Sequence, residues 1–185
     1  MLFRSVAPDA AAAAARRARG DLGFARRLAA DASVGAWVAG VEGDVAALLT
    51  TGLAEDAAVQ RTYAGVKAAG DAAEAEAEAA TAALLERLDR LPSSREIDRE
   101  RKRLETAGKT SASRRRRRAE TDMMRAVIAT VQLVLRDALC VQADAADRVG
   151  SGLDPAALAA IAEAVPRTGL ERAIAEVDEI GRAHV

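Results

Sequence analysis

The sequence predicts an all-α fold, and both composition and patterning support that prediction. Alanine supplies about a quarter of the 185 residues, and Ala, Arg, Glu and Leu together favour helix over most of the chain. Aromatic residues make up only 2% of the sequence, which argues against a β-sandwich, a base-stacking surface or a deep cofactor pocket. No segment shows the alternation of apolar and polar residues that is typical of a half-buried strand.

Two short helices are predicted at the N-terminal end. Pro8 and Asp9 open the first helix, the following alanines continue it, and Gly20 ends it. Asp21 caps a second helix that runs to about residue 32. The glycines that follow predict a break near residue 35 and a weakened, mixed segment as far as residue 52.

The middle of the chain predicts two helices and a turn. An almost uninterrupted helical pattern runs over residues 55–91 and ends at Pro92. Ser94 then caps a charged helix over residues 95–106. Residues 108–113 are rich in glycine and hydroxyl side chains, and they predict an exposed turn.

A long amphipathic helix is predicted over residues 114–147. On a helical wheel, one apolar stripe lies within about 60° either side of Met124, and we expect it to pack in the interior. Leu133 and Val141 lie off this stripe and predict a second contact surface, toward another subunit. The expected packing residues are Met124, Val127, Ile128, Val131, Leu135 and Leu139.

Two further helices complete the predicted fold. Gly150 ends the long helix, and Asp154 and Pro155 begin the next one in the cap and first helical positions. Pro166 separates that helix from a last one over residues 167–185.

Charge is segregated along the chain, although the net charge is only −1. Residues 71–89 carry six acids against one arginine, whereas residues 95–118 carry eleven basic residues against four acids. The basic segment ends in a run of five arginines, which are candidates for contact with nucleic acid: Arg114, Arg115, Arg116, Arg117 and Arg118.

The arginine run does not predict a flat binding face. Consecutive helical residues advance by about 100°, so the five side chains point all around the helix and one flat partner cannot engage them all. Such a cluster is able to neutralise phosphates from several directions, and its binding weakens steeply with salt. The alternatives are a solvated helix start or an acidic protein partner.

Catalytic and metal-binding patterns are not found in the sequence. Gly108, Lys109 and Thr110 resemble the end of a phosphate-binding loop, but Arg103 stands where that loop needs a glycine. The one histidine, His184, has no cysteine or carboxylate arrangement near it. A single cysteine excludes a disulfide within the chain. We therefore expect a protein that is not an enzyme, with no cofactor, no metal and no small-molecule substrate.

The sequence also predicts the compartment. No stretch approaches the roughly 18 apolar residues of a membrane-spanning helix. The positive charge near the N-terminus follows the alanines, which is the wrong order for a secretory signal. We expect a cytoplasmic protein without a membrane partner.

Three segments, in order along the chain, carry motifs that occur together in one family. The first is a lid-like segment with Gly20, Gly23, Ala25, Leu28 and Ala29, and the last is LERAIAEVDEIGRAHV. Between them lies the basic run, followed by Thr121, Asp122 and Arg125 and then by Arg136, Asp137 and Leu139. This series resembles the C-terminal region of the delta-prime subunit of bacterial DNA polymerase III. Leu135 stands where that family often has a tyrosine.

The resemblance implies a domain organisation and a function. Residues 1–32 would be the remnant of an AAA+ helical lid, and residues 33–185 a helical collar domain that is truncated at its C-terminus. Gly23 stands in place of the arginine that senses ATP in motor subunits, which implies a non-catalytic assembly module of a DNA replication clamp loader. Its partners would be the other clamp-loader subunits, with primed DNA as a further candidate. The alternatives are a free-standing helical nucleic-acid-binding protein that uses the arginine-rich helix, and a generic helical scaffold.

Overall fold

The computed structural model describes residues 7–18, 20–52, 56–92 and 94–183. It is 88% helical, and its described residues contain seven α-helices and no strand, which confirms the all-α fold class. A short 3-10 turn, Ala146–Arg148, lies between the fifth and sixth helices. The helices are α1 (Pro8–Ala18), α2 (Leu22–Ala30), α3 (Ala32–Thr51), α4 (Asp56–Asp89), α5 (Arg95–Gln142), α6 (Pro155–Ala164) and α7 (Arg167–Ala183).

Aspartate side chains cap three of the helices. Asp21 Oδ1 accepts a hydrogen bond from the Phe24 amide at 2.8 Å, and Asp154 Oδ1 accepts one from the Ala156 amide at 2.7 Å, as the sequence predicts. Asp31 caps α3 by accepting from both the hydroxyl and the amide of Ser33. The hydroxyl hydrogen bond is the largest cause that lowers the pKa of Asp31 below its usual value.

The third helix is continuous, which corrects the predicted break near residue 35. α3 passes through Gly35, Gly40 and Gly43 and ends at Gly52, whose φ of 72° is the left-handed conformation that glycine adopts at a helix C-terminus. By length and composition, α3 also passes the test for a membrane-spanning helix, contrary to the sequence-based expectation. One such helix is weak support for a membrane role, because the core helix of a soluble protein passes the same test.

The fifth helix replaces three predicted elements. α5 runs from Arg95 to Gln142, so the charged helix, the turn over residues 108–113 and most of the long helix are a single element. Gly108 is buried, and a Cβ atom placed on it would lie 2.5 Å from Cγ2 of Thr81 on α4. Gly108 therefore allows α4 and α5 to pack closely, whereas the sequence-based interpretation assigned it to a turn.

The chain forms two compact units. We call Met1–Thr62 together with Arg125–Val185 the core unit, and Tyr63–Met124 the hairpin unit. α4 and α5 each contribute residues to both units. The boundary that the resemblance implies after residue 32 lies within the core unit, and the division into a lid remnant and a collar domain stays a prediction.

The core unit has a well-buried apolar interior. Four of its helices, α3, α5, α6 and α7, contribute side chains to one cluster, and a smaller cluster joins α1, α2 and α3 to Ala126 of α5. Complete burial of a Leu or Ile side chain contributes about 1.5–3 kcal/mol to folding. The buried members of the larger cluster are Ala46, Val134, Leu135, Ala138, Leu158, Ile161 and Leu170.

The hairpin unit relies on small residues instead. A Cβ atom on Gly70 of α4 would lie 2.7 Å from Cγ of Glu120 on α5, and Gly108 approaches Thr81 as closely. Such contacts bring two helix backbones together where larger side chains would hold them apart. The other buried residues of this unit are Val66, Ala77, Ala112 and Met123.

Candidate nucleic-acid interface

Arg116 lies on the face of α5 that contacts α4 in the hairpin unit. Its guanidinium nitrogens lie 2.8 Å from Glu74 Oε2, 3.0 Å from Glu120 Oε1 and 3.1 Å from Asp71 Oδ1. The hydrogen bonds to Glu74 and Glu120 are the largest causes that raise the pKa of Arg116, and the charge of Asp71 adds to them. Three carboxylates thus surround this guanidinium, so the charge of Arg116 is compensated within the hairpin unit.

Asp71 connects this ionic cluster to Lys67. The Lys67 ammonium donates a hydrogen bond to Asp71 Oδ2 at 2.8 Å. That hydrogen bond is the largest cause that lowers the pKa of Asp71 below its usual 3.8, and the charges of Lys67 and Arg116 act in the same direction. Desolvation opposes the change, but the pKa remains lowered. The carboxylate is therefore ionised at neutral pH.

The other four arginines of the run are exposed, and three of them line an open concavity on α5. Arg114, Arg115 and Arg118 lie at one end of it, and Lys102 and Arg103 lie at the other. The concavity has a volume of about 810 Å³. We call these five residues, with the four small residues between them, the basic trough. The small residues are Thr106, Ala107, Thr110 and Ser111.

The basic trough follows from helical periodicity. Positions 103, 107, 110, 114 and 118 are separated by three or four residues, a spacing that places side chains on one face of a helix. Sequence reasoning missed Lys102 and Arg103 as members of the site, because the turn predicted over residues 108–113 separated them from the arginine run. The three-and-four spacing is a signal that finds them once α5 is taken as continuous.

Few carboxylates compensate the charge of the trough. Within the part of the chain that the structure describes, Arg114, Arg115, Arg118 and Lys102 form no ion pair. Arg103 Nη1 lies 3.6 Å from Glu100 Oε2, and both side chains are largely open to solvent, so this contact contributes little. The trough therefore presents a local excess of positive charge on a chain whose net charge is −1.

The predicted packing stripe of α5 lies mostly in the interior, with one exception. Leu135 is 2% exposed, and Val131 and Leu139 pack against the core cluster. Val127 and Ile128 are half-buried. Met124 is 41% exposed, so its expected packing role is corrected: its side chain remains largely on the surface at the end of the hairpin unit.

The two residues expected at a subunit interface are covered by the core unit itself. Leu133 is 1% exposed, and its Cδ1 lies 3.3 Å from the position that a Cβ would take on Gly150. Val141 packs against the larger apolar cluster. The expectation for Leu133 is therefore corrected, because the loop around Gly150 covers that side of α5. Val141 is only partly buried, and its expected role at a subunit interface stays a prediction.

Two buried carboxylates hold the loop that follows the 3-10 turn. Asp137 Oδ2 accepts hydrogen bonds from the amides of Gly150 at 2.9 Å and Ser151 at 2.7 Å. Glu42 Oε1 accepts from the Gly152 amide at 3.1 Å, and Glu42 Oε2 pairs with Arg17 at 3.0 Å.

Sequence reasoning placed Asp137 outside the apolar stripe, as a polar residue, yet its side chain is fully buried. The signal for this arrangement is the glycine-rich loop, whose free amides need acceptors. A carboxylate that accepts two amide hydrogen bonds satisfies that need inside the protein. Asp137 and Glu42 are therefore structural in this arrangement.

The remaining sequence candidates concern metal binding and phosphate binding. No three His, Cys, Asp or Glu side chains of the described residues come together in a way that would hold a metal ion. His184 lies outside the described residues. Gly108, Lys109 and Thr110 lie within α5, so they do not form a phosphate-binding loop.

No protein-family model matches the chain, no curated protein matches it, and no solved structure matches its fold. The likeness to the clamp-loader subunit therefore depends on the sequence motifs alone.

Proposed function

We propose that this chain is a helical nucleic-acid-binding protein that holds a phosphate backbone in the basic trough of α5. The observation that carries the proposal is the exposure of five basic side chains on one stretch of a single helix, with little compensation by acids. Lys and Arg contacts with phosphates release condensed counterions, and this release supplies affinity that does not depend on base sequence.

Three acidic residues of the hairpin unit are already paired with arginines outside the trough. Asp71 and Glu74 of α4 are engaged by Arg116, and Asp89 is paired with Arg101. These contacts lie on the face of α5 that meets α4, whereas the trough lies on another face of the same helix. The separation of the two faces lets one helix hold an acidic neighbour and bind a polyanion at the same time.

The salt dependence of DNA binding tests the proposal. The full chain is titrated into a fluorescein-labelled 20-base-pair DNA duplex at several salt concentrations, with fluorescence anisotropy as the readout. Five phosphate contacts predict a slope of log K against log salt of about −4.5, at roughly −0.9 for each contact. The triple substitution Arg114→Ala, Arg115→Ala and Arg118→Ala removes three contacts and reduces the slope by about three.

A matched control removes the same amount of charge elsewhere. Arg26, Arg167 and Arg172 are exposed residues of the core unit, and replacing all three with alanine changes the net charge equally. This control is expected to keep most of the affinity and the slope. Equal losses in both triple variants, or no binding of DNA by the unsubstituted chain at low salt, would overturn the proposal.

Assembly with clamp-loader subunits is the second candidate function. Two large apolar side chains, Leu22 at 74% exposure and Ile180 at 52%, lie on the surface in the first and last segments that carry the resemblance. Apolar side chains of this kind bind partner proteins when they lie in an extended patch. Pull-down of the other loader subunits by the full chain, weakened by Leu22→Ser and Ile180→Ser, is the expected result. A monomer without affinity for those subunits contradicts this candidate.

A further inference from the structure

The basic trough has two charged ends and a floor of short side chains. Lys102 and Arg103 form one end, and Arg114, Arg115 and Arg118 form the other. Eleven residues separate Arg103 from Arg114, which is about 16 Å along a helix that rises about 1.5 Å per residue. The two ends are therefore too far apart to grip the same phosphate.

The two threonine hydroxyls on the floor of the trough are engaged within the helix. The Thr106 hydroxyl donates to the Lys102 carbonyl at 2.9 Å, and the Thr110 hydroxyl donates to the Thr106 carbonyl at 3.0 Å. Both hydroxyl protons are thus used within the helix. Asn, Gln, Asp and Glu, which pair with base edges, are missing from the residues that line the trough.

The trough also lacks an aromatic platform. Its lining residues include no Phe, Tyr or Trp, while Phe24 and Trp37 belong to an apolar cluster of the core unit and Tyr63 lies on α4. Single-stranded nucleic acids are usually held by bases stacked on aromatic side chains, each worth about 1–3 kcal/mol. The trough offers a single strand its charge alone.

These features together point to a double helix. We infer, on the basis of the proposed function, that α5 lies across the major groove of a DNA duplex, with one end of the trough on each phosphate chain. The groove is about 12 Å wide, so the two charged ends, roughly 16 Å apart, are able to reach the phosphates on its two sides while the helix lies against it. The short side chains of the floor let the helix approach. The deep, narrow major groove of an RNA duplex does not admit the helix in this way.

A comparison of affinities for three probes tests whether the partner is a DNA duplex. The full chain is titrated with a 20-base-pair DNA duplex, with one strand of that duplex, and with an RNA duplex of the same sequence, all at one salt concentration. The DNA duplex is expected to bind about tenfold more tightly than either other probe, because stacking is unavailable and two phosphate chains contribute. Exchanging the base sequence at constant length is expected to change the affinity less than threefold, roughly the scale of one weak contact.

Hydroxyl-radical footprinting tests the geometry. A duplex of about ten base pairs, one helical turn, limits the registers in which the chain can bind, and on it the unsubstituted chain is expected to protect the backbones of both strands on the two sides of one groove. Because no base contact orients the helix on the duplex, Lys102→Ala with Arg103→Ala and Arg114→Ala with Arg118→Ala are each expected to weaken the protection of both strands. All four positions are exposed on the helix surface, and circular dichroism verifies that helix content is unchanged.

A third variant separates shape from charge. Thr110→Leu leaves every basic residue in place but puts a larger side chain between the two charged ends of the trough. Because this side chain keeps the helix farther from the duplex, it is expected to weaken duplex binding without changing the salt slope. Tight binding of the single strand or the RNA duplex, or protection of one strand alone, overturns this inference and leaves nucleic-acid binding by the trough intact. No binding to any of the three probes overturns the proposed function itself.

Discussion

The core unit and the hairpin unit are stabilised in different ways, although α4 and α5 contribute to both. In the core unit, Val134, Leu158, Ile161 and Leu170 are almost completely buried, so the burial of large apolar side chains stabilises it. In the hairpin unit, glycine and alanine bring two helices close together, and ion pairs around Arg116 join them. Because the hairpin unit has few large apolar side chains to bury, one face of α5 stays exposed and carries charged side chains.

The largest expected effect concerns the interior of the core unit. Leu158→Ala removes a side chain that is 2% exposed, and we expect it to lower the free energy of unfolding by about 2–5 kcal/mol. Leu84→Ala in the hairpin unit, where the side chain is 46% exposed, is the matched control and is expected to change it by less than about 0.5 kcal/mol. Urea unfolding followed by circular dichroism measures both, and similar losses for the two variants would contradict the comparison.

An intermediate effect is expected at the close approach in the hairpin unit. Gly108→Ala favours helix by about 1 kcal/mol, but the new methyl group meets Thr81, and overpacking costs about 1–3 kcal/mol. We expect a net destabilisation of up to about 2 kcal/mol. With Thr81→Ala already in place, the contacts at 2.5 and 2.7 Å are gone and only the Cβ of residue 81, at 3.1 Å, remains close, so the same change should destabilise the protein less than it does in the unchanged chain.

A control for that prediction lies in the core unit. A Cβ atom on Gly43 of α3 would meet no atom within 4 Å, so Gly43→Ala should stabilise the protein by about 1 kcal/mol whatever residue occupies position 81. The double-mutant cycle is measured by thermal and urea unfolding. Stabilisation by Gly108→Ala in the otherwise unchanged chain would show that the two helices are not in close contact at this point.

The smallest expected effect concerns pH. Because the pKa of Asp71 is lowered in the folded hairpin, its contribution to stability is present above its unfolded pKa and is lost as the pH falls through the lowered folded value. That loss therefore occurs below about pH 3.8.

The two cationic neighbours of Asp71 should differ in their influence on this titration. Lys67→Gln is expected to raise the pKa of Asp71 more than Arg116→Gln does, because the Lys67 hydrogen bond is the larger cause of the lowering. Carboxyl-carbon NMR titration measures both pKa values. The reverse order would show that the charge of Arg116 dominates this carboxylate.

The sequence predicts the fold class and several helix caps well, because local propensity and Asp side chains determine them. The turn predicted over residues 108–113 is wrong because a contact between two helices, which the local sequence does not show, determines the structure there. Glycine and hydroxyl residues also form turns, and only the contact between Gly108 and Thr81 shows that the glycine accommodates a neighbouring helix. The continuity of α5 depends on α4 and is not visible in the local pattern.

The site shows the same division between local and tertiary information. Helical spacing places Arg116 on a different side of α5 from Arg114 and Arg118, although the sequence-based prediction grouped all five arginines as candidate contacts. A helical wheel does not show which element covers a face. For this reason the wheel predicted neither the burial of Leu133 beneath the Gly150 loop nor the exposure of Met124.

The hydrogen bond between Glu42 and the Gly152 amide joins residues that lie 110 positions apart. The core unit is thus built from two chain segments, and the whole hairpin unit lies between them. During synthesis at about 5–20 residues per second, α3 would wait roughly 5–20 seconds before the loop that Glu42 binds has been made. Over that interval the newly made α3 has neither α6 nor α7 to cover it, so the nascent chain depends on its first half remaining unaggregated until the second half arrives.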